Sequence, residues 1–187
     1  MKIGILGGAF NPPHIGHLIL ANEIFEKLKL DKVFFIPTNI SPHKEGDGPS
    51  ASDRLQMTKL AVADSKNFEV LNLEIKRGGT SYTIDTVNEL KNKYPGDELY
   101  LIIGSDLAND FSTWKDFESL RKISKIVVGH RQSYPLARED DFIILDITQI
   151  DLSSSHIREL IRENKSIDEL VTKEVLEYIN QYNLYRK

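Results

Sequence analysis

The sequence contains no cysteine. Thiolate catalysis, iron–sulfur clusters and cysteine-type zinc sites are therefore excluded. It also lacks a basic excess: 24 Lys and Arg stand against 28 Asp and Glu, a formal net charge of -4. No nucleic-acid partner is expected of such a chain, because general coating of phosphates needs a surplus of cations to displace counterions. No run approaches the ~18 apolar residues of a bilayer-spanning helix, so no membrane partner is expected either. The short apolar stretch from Ile3 to Phe10 is interrupted by Gly4, Gly7 and Gly8 and runs into Asn11-Pro12-Pro13-His14. With no small-x-small cleavage site behind it, this start reads as a buried first strand rather than a signal peptide, and a cytoplasmic location is the expectation.

Internal repeats, low-complexity tracts and linkers are missing as well. A length of 187 residues then favours one domain over 1–187. Hydrophobic residues make up 40% and charged ones 28%, enough for a core that needs no disulfide or metal staple. What is present is an alternation of segments. Lys2–Leu6, Lys32–Ile36, Phe68–Leu73, Leu99–Ile103, Lys125–Val128 and Phe142–Leu145 read as strands, several of them apolar throughout. Helices are predicted over 15–28, with Ile15, Leu18, Ile19, Phe25 and Leu28 near one face, over 51–64 and over 83–93. One or two short helices fall between Asp106 and Ser124. Ser50 and Asp53 have the spacing of a capping box. Strands apolar on both faces and alternating with helices predict an α/β fold, an open parallel sheet covered by helices on both faces. The end differs: helices over about 155–163 and 172–181 follow one another, giving a helical C-terminal part over about 153–187. Thr38–Pro49 is the most polar, Pro/Gly-rich stretch and reads as a loop beside the site.

The first motif is Gly7-Gly8-Ala9-Phe10-Asn11-Pro12-Pro13-His14-Ile15-Gly16-His17, between the first strand and the first helix. Ligands of open parallel sheets bind at strand carboxyl ends, beside the point where strand order reverses. The glycine pair admits a phosphate or ribose close to the backbone, and the helix start offers N–H groups and a positive dipole end. His14 and His17 could donate to phosphate oxygens whose charge rises in a transition state. Two surface histidines after a glycine turn are the plainer alternative. A metal site lacks an evident third ligand. A dinucleotide fingerprint lacks G-x-G-x-x-G.

The second motif is Leu152-Ser153-Ser154-Ser155-His156-Ile157-Arg158. Serines at a helix start are ordinary caps, and that is the alternative here. Arg158 on the first turn adds a second anion cradle. Two cradles in one small acidic chain point to a polyphosphate ligand.

The first segment resembles the HxGH signature of the nucleotidylyltransferase superfamily, and the second resembles its ISSTxIR partner. His14-Ile15-Gly16-His17 also spells the HIGH motif of class I aminoacyl-tRNA synthetases, but this chain is too short and has no KMSKS-like segment. Ile36-Pro37-Thr38-Asn39 with Pro42-His43-Lys44, then Thr80-Ser81-Tyr82-Thr83-Ile84-Asp85-Thr86, Ile103-Gly104-Ser105-Asp106 leading to Trp114, and Tyr178-Ile179-Asn180-Gln181 extend the likeness from end to end. Together they resemble the bacterial nicotinate-nucleotide adenylyltransferase family. Ala9 stands where Thr is common there, Asn11 where Asp is common, and Leu152 and Ser155 where ISSTxIR has Ile and Thr.

This resemblance implies a Rossmann-like sheet, a single nucleotidylyltransferase domain, and adenylyl transfer from ATP to nicotinate mononucleotide, with Mg²⁺ arriving on ATP and no protein metal cage. It implies catalytic roles for His14, His17, Lys44 and Arg158. ATP would be bound by these histidines and Arg158 with Gly7, Gly8, Ala9, Phe10, Asp106, Arg131, Ser154 and Ser155. The mononucleotide would be bound by Asn39, His43, Lys44, Tyr82, Thr83, Asp106 and Trp114. The chemistry of these residues agrees. Trp114, the only tryptophan, could stack on a cationic pyridinium ring, although a lone tryptophan is often core. Backbone N–H groups at Tyr82 and Thr83, after Gly78-Gly79, could hold a carboxylate and disfavour a carboxamide, and the same pattern describes an unliganded helix start. Asp106 could equally cap a helix, Lys44 could be a solvated lysine, and Arg131 lies after the strand Lys125–Val128. A sister enzyme acting on the amide mononucleotide or phosphopantetheine and a non-catalytic nucleotide-binding regulator are the rival functions. A homo-oligomer is left open.

Overall fold

A computed structural model describes residues 1–42, 48–130 and 142–186. Strands β1 (Lys2–Gly8), β2 (Lys32–Pro37), β3 (Phe68–Val70), β4 (Glu98–Gly104), β5 (Lys125–His130) and β6 (Phe142–Asp146) form one open parallel sheet. Their order is β3-β2-β1-β4-β5-β6. Strand order reverses between β1 and β4, so the carboxyl ends of these two strands flank the crevice where open α/β sheets bind ligands. The expected α/β class is the observed one.

The chain divides into two compact units. One comprises Met1–Gly7, Leu20–Phe34 and Tyr82–Gln149. Its β1, β4 and β5 pair in parallel register, Ile5 opposite Leu101 and Ile103 opposite Val128. Ile3, Ile5, Leu101, Ile102, Ile126 and Val127 are almost completely buried, as runs of β-branched and aliphatic residues require of a strand covered on both faces. Helix α1 (Ile15–Leu28) enters this unit at Leu20 and buries Leu20, Ala21 and Ile24. Ile19, Phe25 and Leu28, expected near one face, are only half-buried. Leu20 and Ile24, four apart, carry the helix contact here, whereas Ile15 and Leu18 pack in the other unit.

The other unit comprises Gly8–Ile19, Phe35–Ser81 and Ile150–Lys187. Its core joins Met57 and Ala61 of α2 (Ala51–Ala61) to Ile157 and Ile161 of α7 (Ser154–Arg162) and to Val175 and Ile179 of α8 (Lys173–Gln181). Each pair sits four residues apart, which aligns both side chains on one helix face. The expected capping box is present: Ser50 accepts from the Asp53 N–H, and the Asp53 carboxylate accepts from the Ser50 N–H. One expected strand is cut short. Phe68–Leu73 ends at Val70, and Leu73–Arg77 forms a short helix α3 with Glu74 buried. The alternation of Leu71, Leu73 and Ile75 mimics a strand, but Gly78, at φ 74°, donates its N–H to Glu74 O and closes a helical turn. Between β4 and β5 lie α5 (Ser105–Ala108), a 3₁₀ turn at Phe111–Thr113 and α6 (Phe117–Ile123). Helix α4 (Thr83–Lys93) matches its expected bounds.

Candidate active site

The glycine-rich segment leaves β1 with Gly7 and Ala9 exposed, and a Cβ at Gly7 would meet nothing within 4 Å. The backbone there is open to a ligand. Phe10, expected beside ATP, turns its ring away into the core: it is 1% exposed, has φ 46°, and lies 5.8 Å from the Phe35 ring. Its edge also meets the His17 ring at 5.0 Å. Any part Phe10 plays at a ligand is therefore left to its backbone.

His14 and His17 come together at the start of α1. The ring centroids are 3.8 Å apart, and His14 is 5% exposed. The His14 N–H donates to Nδ1 of His17 at 3.2 Å. That nitrogen must then be an acceptor, so the neutral imidazole carries its proton on Nε2, the tautomer that presents a donor. Gly16 makes the pairing possible: a Cβ there would stand 3.0 Å from His14 Nδ1.

The start of α7 is tied to the same segment. Ser153 is its N-cap, accepting from the His156 N–H at 3.2 Å. Ser154 donates its hydroxyl proton to Pro12 O at 2.9 Å, and Arg158 donates to Asn11 O at 2.8 Å and to Ser155 Oγ at 3.1 Å. The two motifs, far apart in sequence, are thus one structure. Ser154, expected to donate to phosphate, spends its proton on the loop, which leaves the helix N–H groups and the remaining guanidinium N–H groups as anion donors.

Two supports of this loop, Arg54 and Tyr185, carry no sequence signal. Arg54 is 7% exposed and donates to Ala9 O at 2.7 Å and Asn39 O at 2.9 Å. Burial lowers its pKa from the usual arginine value. An arginine in a helix's first turn ordinarily reads as surface. Tyr185 donates to Asn11 Oδ1 at 2.8 Å. Tyr178 donates to Asp53 at 3.0 Å; burial first, and then that carboxylate, push its phenol up to about 12. Asn39, expected at the mononucleotide, donates its amide to Gly79 O at 2.9 Å and its N–H to Ser81 Oγ at 2.8 Å. It braces the Gly78–Gly79 turn, whose φ values of 74° and 66° favour glycine.

In the other unit, Asp106 is exposed in α5, just past the carboxyl end of β4. Its carboxylate folds over Gly104, where a Cβ would stand 2.5 Å from Oδ1. Trp114 is half-buried, its ring 5.3 Å from that of Phe111. Tyr82 is the N-cap of α4 and makes no side-chain capping bond, and Thr83 opens the helix. Lys115 places its ammonium 4.2 Å from the Tyr82 ring centroid and 3.5 Å from Asp85. His43, Lys44 and Arg131 lie outside the described residues.

A family model described as cytidylyltransferase-like matches residues 5–160, which places the chain among nucleotidyltransferases of that fold. Over 188 residues it is 42% identical to a probable nicotinate-nucleotide adenylyltransferase of Borrelia hermsii, covering 100% of this chain and 99% of the relative. Over 185 residues it is 40% identical to the probable enzyme of the same name from Shouchella clausii, covering 98% and 96%. The chain belongs to the nicotinate-nucleotide adenylyltransferase family. Its fold is that of Plasmodium falciparum nicotinic acid mononucleotide adenylyltransferase, solved with NaAD, at a TM-score of 0.83 and 19% identity over 98% of this chain and 97% of that one. No helix among the described residues is long and apolar enough to cross a membrane.

Proposed function

We propose that this chain, acting as one nucleotidylyltransferase domain over 1–187, joins ATP and nicotinate mononucleotide to give nicotinic acid adenine dinucleotide and pyrophosphate. This is a cytoplasmic step of NAD synthesis. The observation that carries the reading is the pair of bonds from Ser154 and Arg158 to the Pro12 and Asn11 carbonyls. They set a helix N-terminus and an arginine beside the paired histidines, an arrangement suited to a triphosphate.

An oxygen of the mononucleotide 5′-phosphate attacks the α-phosphorus of ATP in line. The new P–O bond forms as the bond to the pyrophosphate oxygen breaks. The nucleophile is already ionised at neutral pH, so no general base is needed, and no covalent enzyme intermediate forms. Catalysis is then positioning plus stabilisation of charge that grows on phosphate oxygens. His17 Nε2–H and His14 donate to the reacting phosphates. Arg158, Lys44 and the Ser154 and Ser155 N–H groups at the start of α7 hold the β- and γ-phosphates, with Arg131 as a further cation. Mg²⁺ enters as part of the Mg-ATP substrate. Gly7, Gly8, Ala9 and Phe10 border the nucleotide through their backbone, and Asp106 accepts from a ribose hydroxyl. Trp114 stacks on the pyridinium ring while Tyr82 and Thr83 N–H groups hold its carboxylate, with Asn39 and His43 as further residues for the mononucleotide.

Incubation with Mg-ATP and nicotinate mononucleotide should yield the dinucleotide and pyrophosphate in equal amounts. Nucleotide binding without turnover would overturn the reading in favour of a regulator.

A further inference from the structure

We propose that Tyr185, close to the chain's end, is a positioning residue of the active site, acting through an acceptor oxygen on the side chain of residue 11. The inference rests on the adenylyl-transfer reading above and assigns a new participant in it.

The loop from Ala9 to Pro12 leads directly into the paired histidines. Three of its carbonyls are met by side-chain donors: Arg54 at Ala9 O, Arg158 at Asn11 O and Ser154 at Pro12 O, at 2.7, 2.8 and 2.9 Å. Those three fix the main chain from α2 and α7. The Tyr185 hydroxyl adds a fourth donor, to the side-chain oxygen Oδ1 of Asn11 at 2.8 Å. Asn11 is hemmed in on another side by Gly48, where a Cβ would stand 3.1 Å from its Nδ2 and 3.3 Å from its Oδ1. The amide therefore has little room to turn once its oxygen is held.

The phenol suits this task. Its ring packs against the core formed by α2, α7 and α8, which fixes the direction of the hydroxyl. Burial raises its pKa well above the ordinary phenol value, against the opposing influence of Arg158 and Arg54, so the hydroxyl keeps its proton and remains a donor. What the bond requires of residue 11 is an acceptor oxygen at the δ position. Aspartate supplies that oxygen as well as asparagine does; alanine supplies none.

The test uses the full chain with Tyr185→Phe, Asn11→Ala, Asn11→Asp and the Tyr185→Phe/Asn11→Ala pair, plus Tyr178→Phe as control. Tyr185→Phe keeps the ring and its packing. It should lower kcat about fivefold, the scale of one neutral hydrogen bond, with KM for the mononucleotide unchanged within about twofold. Asn11→Ala should do the same, the pair should be no slower than Asn11→Ala alone, and Asn11→Asp should restore kcat to within about twofold of the parent. Tyr178→Phe, which loses only a bond to Asp53, should leave kcat unchanged.

Amide hydrogen exchange over residues 9–17 supplies a readout independent of turnover. It should quicken in Tyr185→Phe and Asn11→Ala and not in Tyr178→Phe. A parent without adenylyl transfer would refute the functional reading alone, and the exchange pattern would still decide the role of Tyr185. Parent-like kcat in Tyr185→Phe from an active parent, losses that multiply in the pair, or parent-like exchange would each overturn the proposal.

Discussion

The His14 backbone N–H donates to Nδ1 of His17 at 3.2 Å, and the two rings lie 3.8 Å apart. This one bond determines which nitrogen of His17 is left to donate. With Nδ1 engaged as an acceptor, Nε2 carries the proton of the neutral ring and is a donor without any change of ionisation. A neutral donor of this kind strengthens as negative charge accumulates on its acceptor, which is the behaviour wanted at a transferring phosphoryl group.

Removal of that donor is expected to hurt the chemical step more than binding. His17→Ala should lower kcat by about 10²–10³-fold, the range seen when a transition-state donor is deleted, with a much smaller rise in KM for Mg-ATP. Initial rates of pyrophosphate release at varied ATP check this. An unchanged kcat would remove His17 from the mechanism.

Gly16→Ala separates activity from stability. Gly16 is the second residue of α1, where alanine is a better helix former by about 1 kcal/mol. Its Cβ would nevertheless stand 3.0 Å from His14 Nδ1 and 3.1 Å from Cε1, forcing the ring aside. The variant should melt within a few degrees of the parent yet lose activity by about tenfold or more. Thermal denaturation and rate measurements on one preparation decide it, and full activity would show that the ring pair is not needed.

Arg54→Met should be costly in a different way. It leaves the Ala9 and Asn39 carbonyls without the donors that Arg54 supplies at 2.7 and 2.9 Å. A loss of about 2–4 kcal/mol is expected from two abandoned, partly buried acceptors. Arg54→Lys should recover little, because a single ammonium cannot match a planar fork aimed at two carbonyls. Urea denaturation of the three proteins measures both statements.

The Tyr178–Asp53 bond predicts an alkaline weakness. The phenol is raised from 10.0 to about 12 in the folded chain, so its contribution is fully present below pH 10 and is lost as pH rises through about 12. Asp53 is shifted the other way, lowered chiefly by its bond to Ser50, so its contribution is lost only as pH falls through its folded pKa in acid. Urea midpoints between pH 9 and 12 should therefore fall more steeply for the parent than for Tyr178→Phe.

These experiments divide along what the sequence made visible. The apolar strands, the Ser50–Asp53 capping box and the two motif segments were legible because each depends on local pattern or on residue types with few other uses. The Phe68–Leu73 segment leaves the strand beyond Val70, although Leu71, Leu73 and Ile75 alternate like one, because the chain turns into a helix closed by Gly78 at positive φ. Arg54, Tyr185 and the proton of Ser154 were not legible at all. Their partners are the carbonyls of Ala9, Asn39 and Pro12 and the Asn11 side chain, acceptors that three-dimensional proximity alone assigns to them.

The nucleotide acceptor is identified by comparing the acid and amide mononucleotides. Pyrophosphate release from Mg-ATP is measured with nicotinate mononucleotide and with its amide counterpart side by side, each across a full concentration range. In the proposed function, N–H donors at Tyr82 and Thr83 would receive a carboxylate on both oxygens, whereas a carboxamide would turn its NH2 towards another donor. The predicted result is a kcat/KM at least about tenfold higher for the acid. Equal or greater efficiency with the amide would contradict it.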